Sequence, residues 1–174
     1  ADGFVVSNEA LVGRFEGLDP SQREHVRVDM GFLPAPIDVL TAASLRLNEF
    51  TLHTWDIAVV SDPAATLAPE AVEFLFEPLR MLIGWIGQTE TLGGAGTVLA
   101  VRTTDPERHL GLDLGETVRI VSPPADPAPT LAMPAEAFLR LAAGRLAREH
   151  TPPGISIDAR GPTLDDLRRT FPGF

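Results

Sequence analysis

Residues 46–57 have the sequence RLNEFTLHTWDI, and the spacing of its residues predicts a helix that carries a candidate site. Glu49 and His53 stand four residues apart and therefore share one helical face, where a carboxylate and an imidazole could bind one metal ion. The surrounding residues are largely apolar, which predicts a mostly buried helix whose polar groups need a partner or a metal. A solvated pair and a hydrogen-bonded pair stay open as alternatives. The apolar neighbours are Leu45, Leu47, Phe50, Leu52, Trp55 and Ile57.

The same stretch resembles part of a known protein family. Its pattern is Arg-x-x-Glu-x-x-x-His-x-x-Asp-Ile, formed by Arg46, Glu49, His53, Asp56 and Ile57. This pattern resembles the second metal-ligand helix of the mycothiol-dependent maleylpyruvate isomerases, within the wider DinB-like superfamily. The resemblance implies a helical bundle that holds a divalent metal, usually zinc. The implied ligands are Glu49, His53 and a further His from an earlier helix.

The early His that the resemblance implies has no clear counterpart in this sequence. The upstream segment contains only His25, in a charged run that predicts a solvated segment rather than a ligand. Because the sequence opens at Ala1 without an initiator Met, we expect missing N-terminal helices or a partner chain to complete and cover the bundle. The expected consequence is an exposed apolar surface on the helix predicted at residues 37–59.

Composition limits the classes of function that this chain can have. Its 174 residues are 44% hydrophobic, which is enough for a core, and the net charge of −10 argues against nucleic acid as a partner. No apolar stretch reaches the roughly 18–20 residues of a membrane span. Cysteine is absent, so thiol chemistry would require an external thiol. Without a recognisable secretion signal, we expect a cytoplasmic protein.

Helical spacing dominates the first half of the chain. It predicts a helix that begins after Ser7, its expected cap, and runs to about residue 15, and further helices at residues 37–59 and 66–86. Pro78 should kink or divide the third helix, because proline cannot donate a helical hydrogen bond. A stripe of large residues in the third helix is assigned to the core: Phe74, Phe76, Met81 and Trp85.

The second half changes to the alternation that is typical of strands. The glycine-rich run at residues 93–96 marks the change, so the predicted domains are residues 1–92, a partial DinB-like bundle, and residues 93–174, a small α+β domain. The whole chain is therefore predicted to be α+β. This order resembles the sterol-carrier-like C-terminal domain of the same isomerase family. The predicted strands cover residues 97–103, 109–114, 117–121, 130–133 and 155–158, and a final helix follows Thr163.

Two arginines are candidates for binding the cofactor or substrate. Arg145 lies in an apolar helix predicted from residue 134 to about 148, where the resemblance implies a Gly-Arg pair. Its permanent charge suits a carboxylate partner, so it is a candidate catalytic residue that anchors an anionic substrate or the thiol. A structural ion pair is the open alternative. Arg46 could bind the cofactor, orient Glu49 or simply pair with it, and Asp56 could orient His53 or pair with another helix.

The resemblance implies a metal-dependent enzyme that uses a low-molecular-weight thiol, mycothiol, for isomerisation or S-transfer on a small electrophilic substrate. In such a mechanism the metal lowers the pKa of the thiol, and the thiolate attacks an electrophilic carbon. In an isomerase the thiolate adds to a cis double bond and leaves after rotation, whereas in a transferase it stays. The alternatives are a non-catalytic binding or regulatory protein with an incomplete metal site, and a metal-dependent hydrolase.

Overall fold

The structure is a computed structural model that describes residues 2–92, 96–125 and 128–173, and its helices and mixed sheet confirm the predicted α+β class. The chain divides into two compact units, Ala1–Asn48 and Glu49–Phe174, and the division falls within a helix. The domain boundary predicted in the glycine run lies largely at residues 93–95, outside the described residues, and stays a prediction. In the described part of the chain, no helix combines the length and hydropathy needed to cross a membrane.

The first unit is built from short elements and the start of a long helix. Ser7 lies inside the first helix, so its predicted role as a cap is wrong. Asp38 fixes the start of the long helix, because its carboxylate accepts hydrogen bonds from the backbone N–H of Thr41 at 2.9 Å and from its hydroxyl at 2.7 Å. The elements are α1 (Asp2–Glu16), α2 (Pro20–His25), β1 (Arg27–Val28), its antiparallel partner β2 (Ile37–Asp38), and α3 (Val39–Ser61), which continues into the second unit.

The helices that follow α3 show how Pro78 divides a helical pattern. They are α4 (Pro69–Val72), a 3-10 turn (Glu73–Leu75) and α5 (Phe76–Ile86). Pro78 cannot donate a hydrogen bond to the carbonyl of residue 74, and the chain adopts the 3-10 turn at that point. The predicted division is therefore confirmed.

Three of the four large residues assigned to the core lie at the surface instead. Phe74 and Trp85 are 60% exposed and Met81 is 37% exposed, whereas Phe76 is buried and stacks on Phe138. These three residues share the exposed side of the segment with Glu77 and Arg80, so the large apolar side chains alone did not identify the buried face. The buried face of α5 carries Leu79, Ile83 and Ile86.

The second unit also contains a five-stranded sheet in the order β5-β4-β3-β6-β7. Its neighbouring strands are antiparallel except for the parallel pair of β3 and β6. All five strands occur where alternation predicted them, and Thr163 caps the closing helix as predicted. The elements are β3 (Val98–Thr104), β4 (Arg108–Leu114), β5 (Val118–Val121), β6 (Thr130–Pro134), α6 (Ala135–Ala142), β7 (Ser156–Ile157) and α7 (Leu164–Thr170).

Helix α6 ends earlier than the predicted position near residue 148, and this changes the setting of Arg145. Gly144 adopts a positive φ of 72°, and the N–H groups of Gly144 and Arg145 donate to the carbonyls of Leu141 and Arg140. These two bonds form a Schellman motif, which closes the C-terminus of a helix. Arg145 therefore lies just beyond α6, and its predicted position on this helix is wrong.

Candidate functional site

Glu49 and His53 lie on the exposed face of α3, and the predicted burial of this pair is wrong. Their side chains are 58% and 64% exposed, while Leu52 and Trp55 occupy the buried face. Apolar residues occur on all sides of this helix, so their presence around the pair did not identify its environment. Burial therefore gives no reason to expect a metal at the pair. The remaining reason to expect one is the distance between the two donor atoms.

The donor atoms of the pair have a spacing that fits a shared ion. Nε2 of His53 lies 3.4 Å from Oε2 of Glu49. Two adjacent ligands of a tetrahedral zinc ion, each about 2.0–2.2 Å from the metal, are roughly 3.4 Å apart. The same distance suits an ion pair with a protonated imidazole. Over residues 2–92, 96–125 and 128–173, no group of three or more His, Asp or Glu residues is arranged to hold a metal.

The second ring nitrogen of His53 contacts Asp56. Nδ1 of His53 lies 3.0 Å from Oδ2 of Asp56. An ionised carboxylate can only accept a hydrogen bond, so Nδ1 carries the hydrogen in this contact. In a neutral ring the Nε2 lone pair then faces Glu49. Metal-binding histidines usually donate their other N–H to a carboxylate in this way.

Arg145 makes a bidentate ion pair with the same aspartate. Its Nε donates to Oδ1 of Asp56 at 2.7 Å, its Nη2 donates to Oδ2 at 2.8 Å, and its Nη1 donates to the carbonyl of Ala143 at 3.0 Å. This is the ion pair that the sequence left open. Asp56 occupies the Nε–Nη2 edge of the guanidinium, which is the edge that a substrate carboxylate would bind. The predicted role of Arg145 as an anchor for the substrate or the thiol stays a prediction.

The pKa of Asp56 reflects these contacts. The hydrogen bonds from Arg145 lower the pKa of this carboxyl, partial burial opposes the change, and the hydrogen bond from His53 lowers it further. Asp56 is therefore ionised at neutral pH and able to accept hydrogen bonds from both neighbours at once.

The other predicted residues lie in the first unit. Arg46 donates from Nη2 to Oδ1 of Asn8 at 3.4 Å, and its guanidinium lies 5.8 Å from the ring centre of Phe4. Its predicted role in cofactor binding stays a prediction. His25 uses Nδ1 to contact the carbonyl of Ser21 at 2.8 Å, within α2.

The sequence reasoning missed Arg140, which fixes the buried side of α3. Its side chain is 2% exposed and pairs with Glu136 through Nε at 2.7 Å and Nη2 at 2.8 Å. Its guanidinium lies 5.1 Å from the ring centre of Trp55. The adjacent residues Trp55 and Asp56 thus attach α3 to Arg140 and Arg145. The signal available in the sequence was the i,i+4 spacing of Glu136 and Arg140 on an apolar helix.

Exposed apolar side chains flank His53 on the same face of α3. Phe50 is 41% exposed, Ile57 is 76% exposed and Val60 is 85% exposed. These residues stand three before, four after and seven after His53, which places them on its side of the helix. The exposed apolar surface expected on this helix is therefore present, and the helices or partner expected to cover it stay a prediction.

The fold and the site define an α+β protein that has a His–Glu pair on an exposed helical face, with Asp56 at the second ring nitrogen of the histidine. No family model matches the chain, and no curated protein matches it.

Proposed function

We propose that this chain is a metal-dependent enzyme that uses a low-molecular-weight thiol such as mycothiol either to isomerise a small electrophilic substrate or to attach the thiol to it through a new carbon–sulfur bond. The proposal is supported by the 3.4 Å spacing of His53 Nε2 and Glu49 Oε2, together with the carboxylate at His53 Nδ1. A divalent ion at these donors, zinc in our proposal, would supply a Lewis acid that lowers the pKa of the thiol. This proposal follows the isomerase family that residues 46–57 resemble.

Each residue near the pair has a role in the proposal. Glu49 and His53 hold the ion, and Asp56 orients the imidazole. The exposed side chains of Phe50 and Ile57 offer apolar contacts to a small substrate that approaches the pair. The sequence contains no cysteine, so the thiol would be supplied from outside the chain. A reduced thiol cofactor would place the protein in the cytoplasm, where thiols are kept reduced.

Metal stoichiometry tests the proposal. We expect the 174-residue chain to bind one zinc ion per molecule in an equilibrium titration, as measured by elemental analysis at known free zinc and by competition with a chromogenic chelator. His53→Ala should lose this zinc because it removes one of the two donors. His109→Ala is a matched control: His109 Nε2 also lies 3.4 Å from a glutamate oxygen, Oε1 of Glu107, and this variant should retain the zinc.

Two results would contradict the metal site. One is a parent chain that shows no saturable binding of one zinc ion in the titration, and the other is a His53→Ala variant that binds zinc as tightly as the parent. Either result favours the non-catalytic alternative. With zinc bound, incubation with mycothiol and maleylpyruvate separates the two reactions, because isomerisation preserves the free thiol whereas S-transfer consumes it.

A further inference from the structure

We infer that Arg145 is a positioning residue that acts through Asp56 to determine which ring nitrogen of His53 is available to a ligand. The inference rests on the proposed function only in identifying that ligand as the metal ion.

The contacts form a continuous chain from Arg145 to His53. Arg145 holds both oxygens of Asp56, at 2.7 and 2.8 Å, and this two-point contact fixes the plane of the carboxylate. Oδ2 of Asp56 also lies 3.0 Å from Nδ1 of His53. Rotation of the carboxylate away from His53 would break the bidentate contact, so Arg145 keeps Oδ2 in place for the imidazole.

Arg145 is itself held firmly by its own segment. It directly follows Gly144, its backbone N–H closes the Schellman motif of α6, and its Nη1 donates to the carbonyl of Ala143. Its side chain is 18% exposed, in contrast to the 64% exposed side chain of His53. Arg145 is therefore the more restricted residue at one end of this series of contacts, and His53, at the other end, has more rotational freedom.

The consequence concerns the tautomer of neutral His53. A hydrogen bond to Asp56 requires hydrogen on Nδ1 and leaves the lone pair on Nε2, the atom that faces Glu49. Without Arg145 the Asp56 carboxylate can rotate, and His53 can exchange its tautomer and its ring orientation. We therefore expect Arg145 to influence ligand binding without touching the ligand.

Nitrogen NMR of the metal-free chain measures the tautomer of His53 directly. The protein is labelled with ¹⁵N-histidine, spectra are recorded over a pH series up to the plateau at which the ring nitrogen shifts stop changing, and a His53→Gln variant assigns the resonance. We expect His53 in the parent to carry its hydrogen on Nδ1. In Arg145→Gln the signal should shift toward a mixture of tautomers, and zinc affinity should fall about ten- to a hundredfold. Arg148→Gln, which removes an exposed arginine paired with Asp165, should change neither quantity.

Arg145→Lys is the second variant and also serves if Arg145→Gln unfolds. It keeps the charge but loses the planar fork, so we expect an intermediate tautomer shift. An unchanged His53 tautomer in a folded Arg145 variant overturns the inference, even if zinc still binds. If the parent shows the expected tautomer and it depends on Arg145, but zinc does not bind, the proposed function fails and the positioning role stands.

Discussion

Two His–Glu pairs in the described part of the chain have the same separation and different surroundings. His53 and Glu49 on α3 lie 3.4 Å apart, as do His109 and Glu107 at the start of β4, and all four side chains are more than half exposed. His53 also has Asp56 at its other ring nitrogen. Within the described ranges, no carboxylate contacts the other ring nitrogen of His109. A donor–donor distance alone therefore does not distinguish a metal site from a surface ion pair, whereas a carboxylate at the second ring nitrogen of the histidine does.

The two pairs also differ in the side-chain contacts of the residues next to them. Below the His53 pair, Trp55 is buried and donates from Nε1 to the carbonyl of Ala65 at 2.8 Å, and its ring lies against Arg140. His109 is an exposed residue of a β-hairpin strand. We therefore expect changes beneath α3 to affect the His53 pair selectively.

The largest expected effect comes from removing the charge that balances buried Arg140. Glu136→Gln leaves an uncompensated buried guanidinium, which typically destabilises a protein by about 3–5 kcal/mol. We expect this loss in the free energy of unfolding, measured by urea denaturation with circular dichroism. At a urea concentration where the variant is still folded, it should also weaken zinc binding at the His53 pair by loosening Trp55.

The matched control for this change is Glu73→Gln. Glu73 pairs with Arg108 at 3.2 Å, but both side chains are largely exposed. Exposed pairs contribute about 0–1 kcal/mol, so this variant should be nearly as stable as the parent. If the two variants lose similar amounts of unfolding free energy, burial of Arg140 does not increase the cost of removing its partner.

Gly144→Ala should have the next largest effect, because it alters the segment that presents Arg145. A Cβ at this position would lie 2.3 Å from the backbone nitrogen of Gly173, and the φ of 72° is itself unfavourable for alanine. Left-handed backbone costs about 1–2 kcal/mol and overpacking about 1–3 kcal/mol, which predicts a clear fall in the melting temperature. The His53 tautomer should change together with stability.

Gly154→Ala separates the cost of the positive φ from the cost of the close approach to Gly173. Gly154 has a φ of 85°, but a Cβ there would meet no atom within 4 Å. We expect only the backbone contribution of about 1–2 kcal/mol and no change in the His53 tautomer. Equal melting temperatures for the two variants would mean that the close approach of Gly173 is relieved at little cost.

The smallest expected effect concerns the start of α3. Asp38→Ala removes the side chain that accepts from the Thr41 N–H and should destabilise the chain by about 0.5–2 kcal/mol at pH 7. The hydrogen bond from the Thr41 backbone lowers the pKa of Asp38, so the ionised carboxylate stabilises the folded state. This contribution is present above the usual carboxyl range and is lost as the pH falls through the lowered pKa.

Asp38→Asn distinguishes the cap from its charge. Asparagine caps helices about as well as aspartate, so this variant should keep most of the stability at pH 7. It does not titrate, and its acid denaturation should therefore be less steep than that of the parent. Neither variant should alter the His53 tautomer, because Asp38 is not part of the contacts from Arg145 to His53. If either variant changes the His53 tautomer, residues other than Arg145 and Asp56 also determine it, which would contradict the inference.

Local signals in the sequence predicted much of the fold. Alternation identified the five strands of the larger sheet, and Thr163 was recognised as a helix cap. Each of these signals acts over a few neighbouring residues, which is why sequence alone carries it. The end of α6 was missed although Gly144 signals it, because the apolar pattern continues past the glycine to Leu146.

The α+β class and the i,i+4 placement of Glu49 and His53 follow from the sequence alone, because helical and strand periods bring near neighbours onto one face. The buried face of α3, in contrast, is set by the packing of other elements against this helix. Packing also determines that Asp56, 89 residues before Arg145, is the carboxylate that Arg145 binds. The physical reason is that burial and long-range ion pairs depend on how separate elements pack, and an apolar residue or a charge in the sequence does not specify its distant partner.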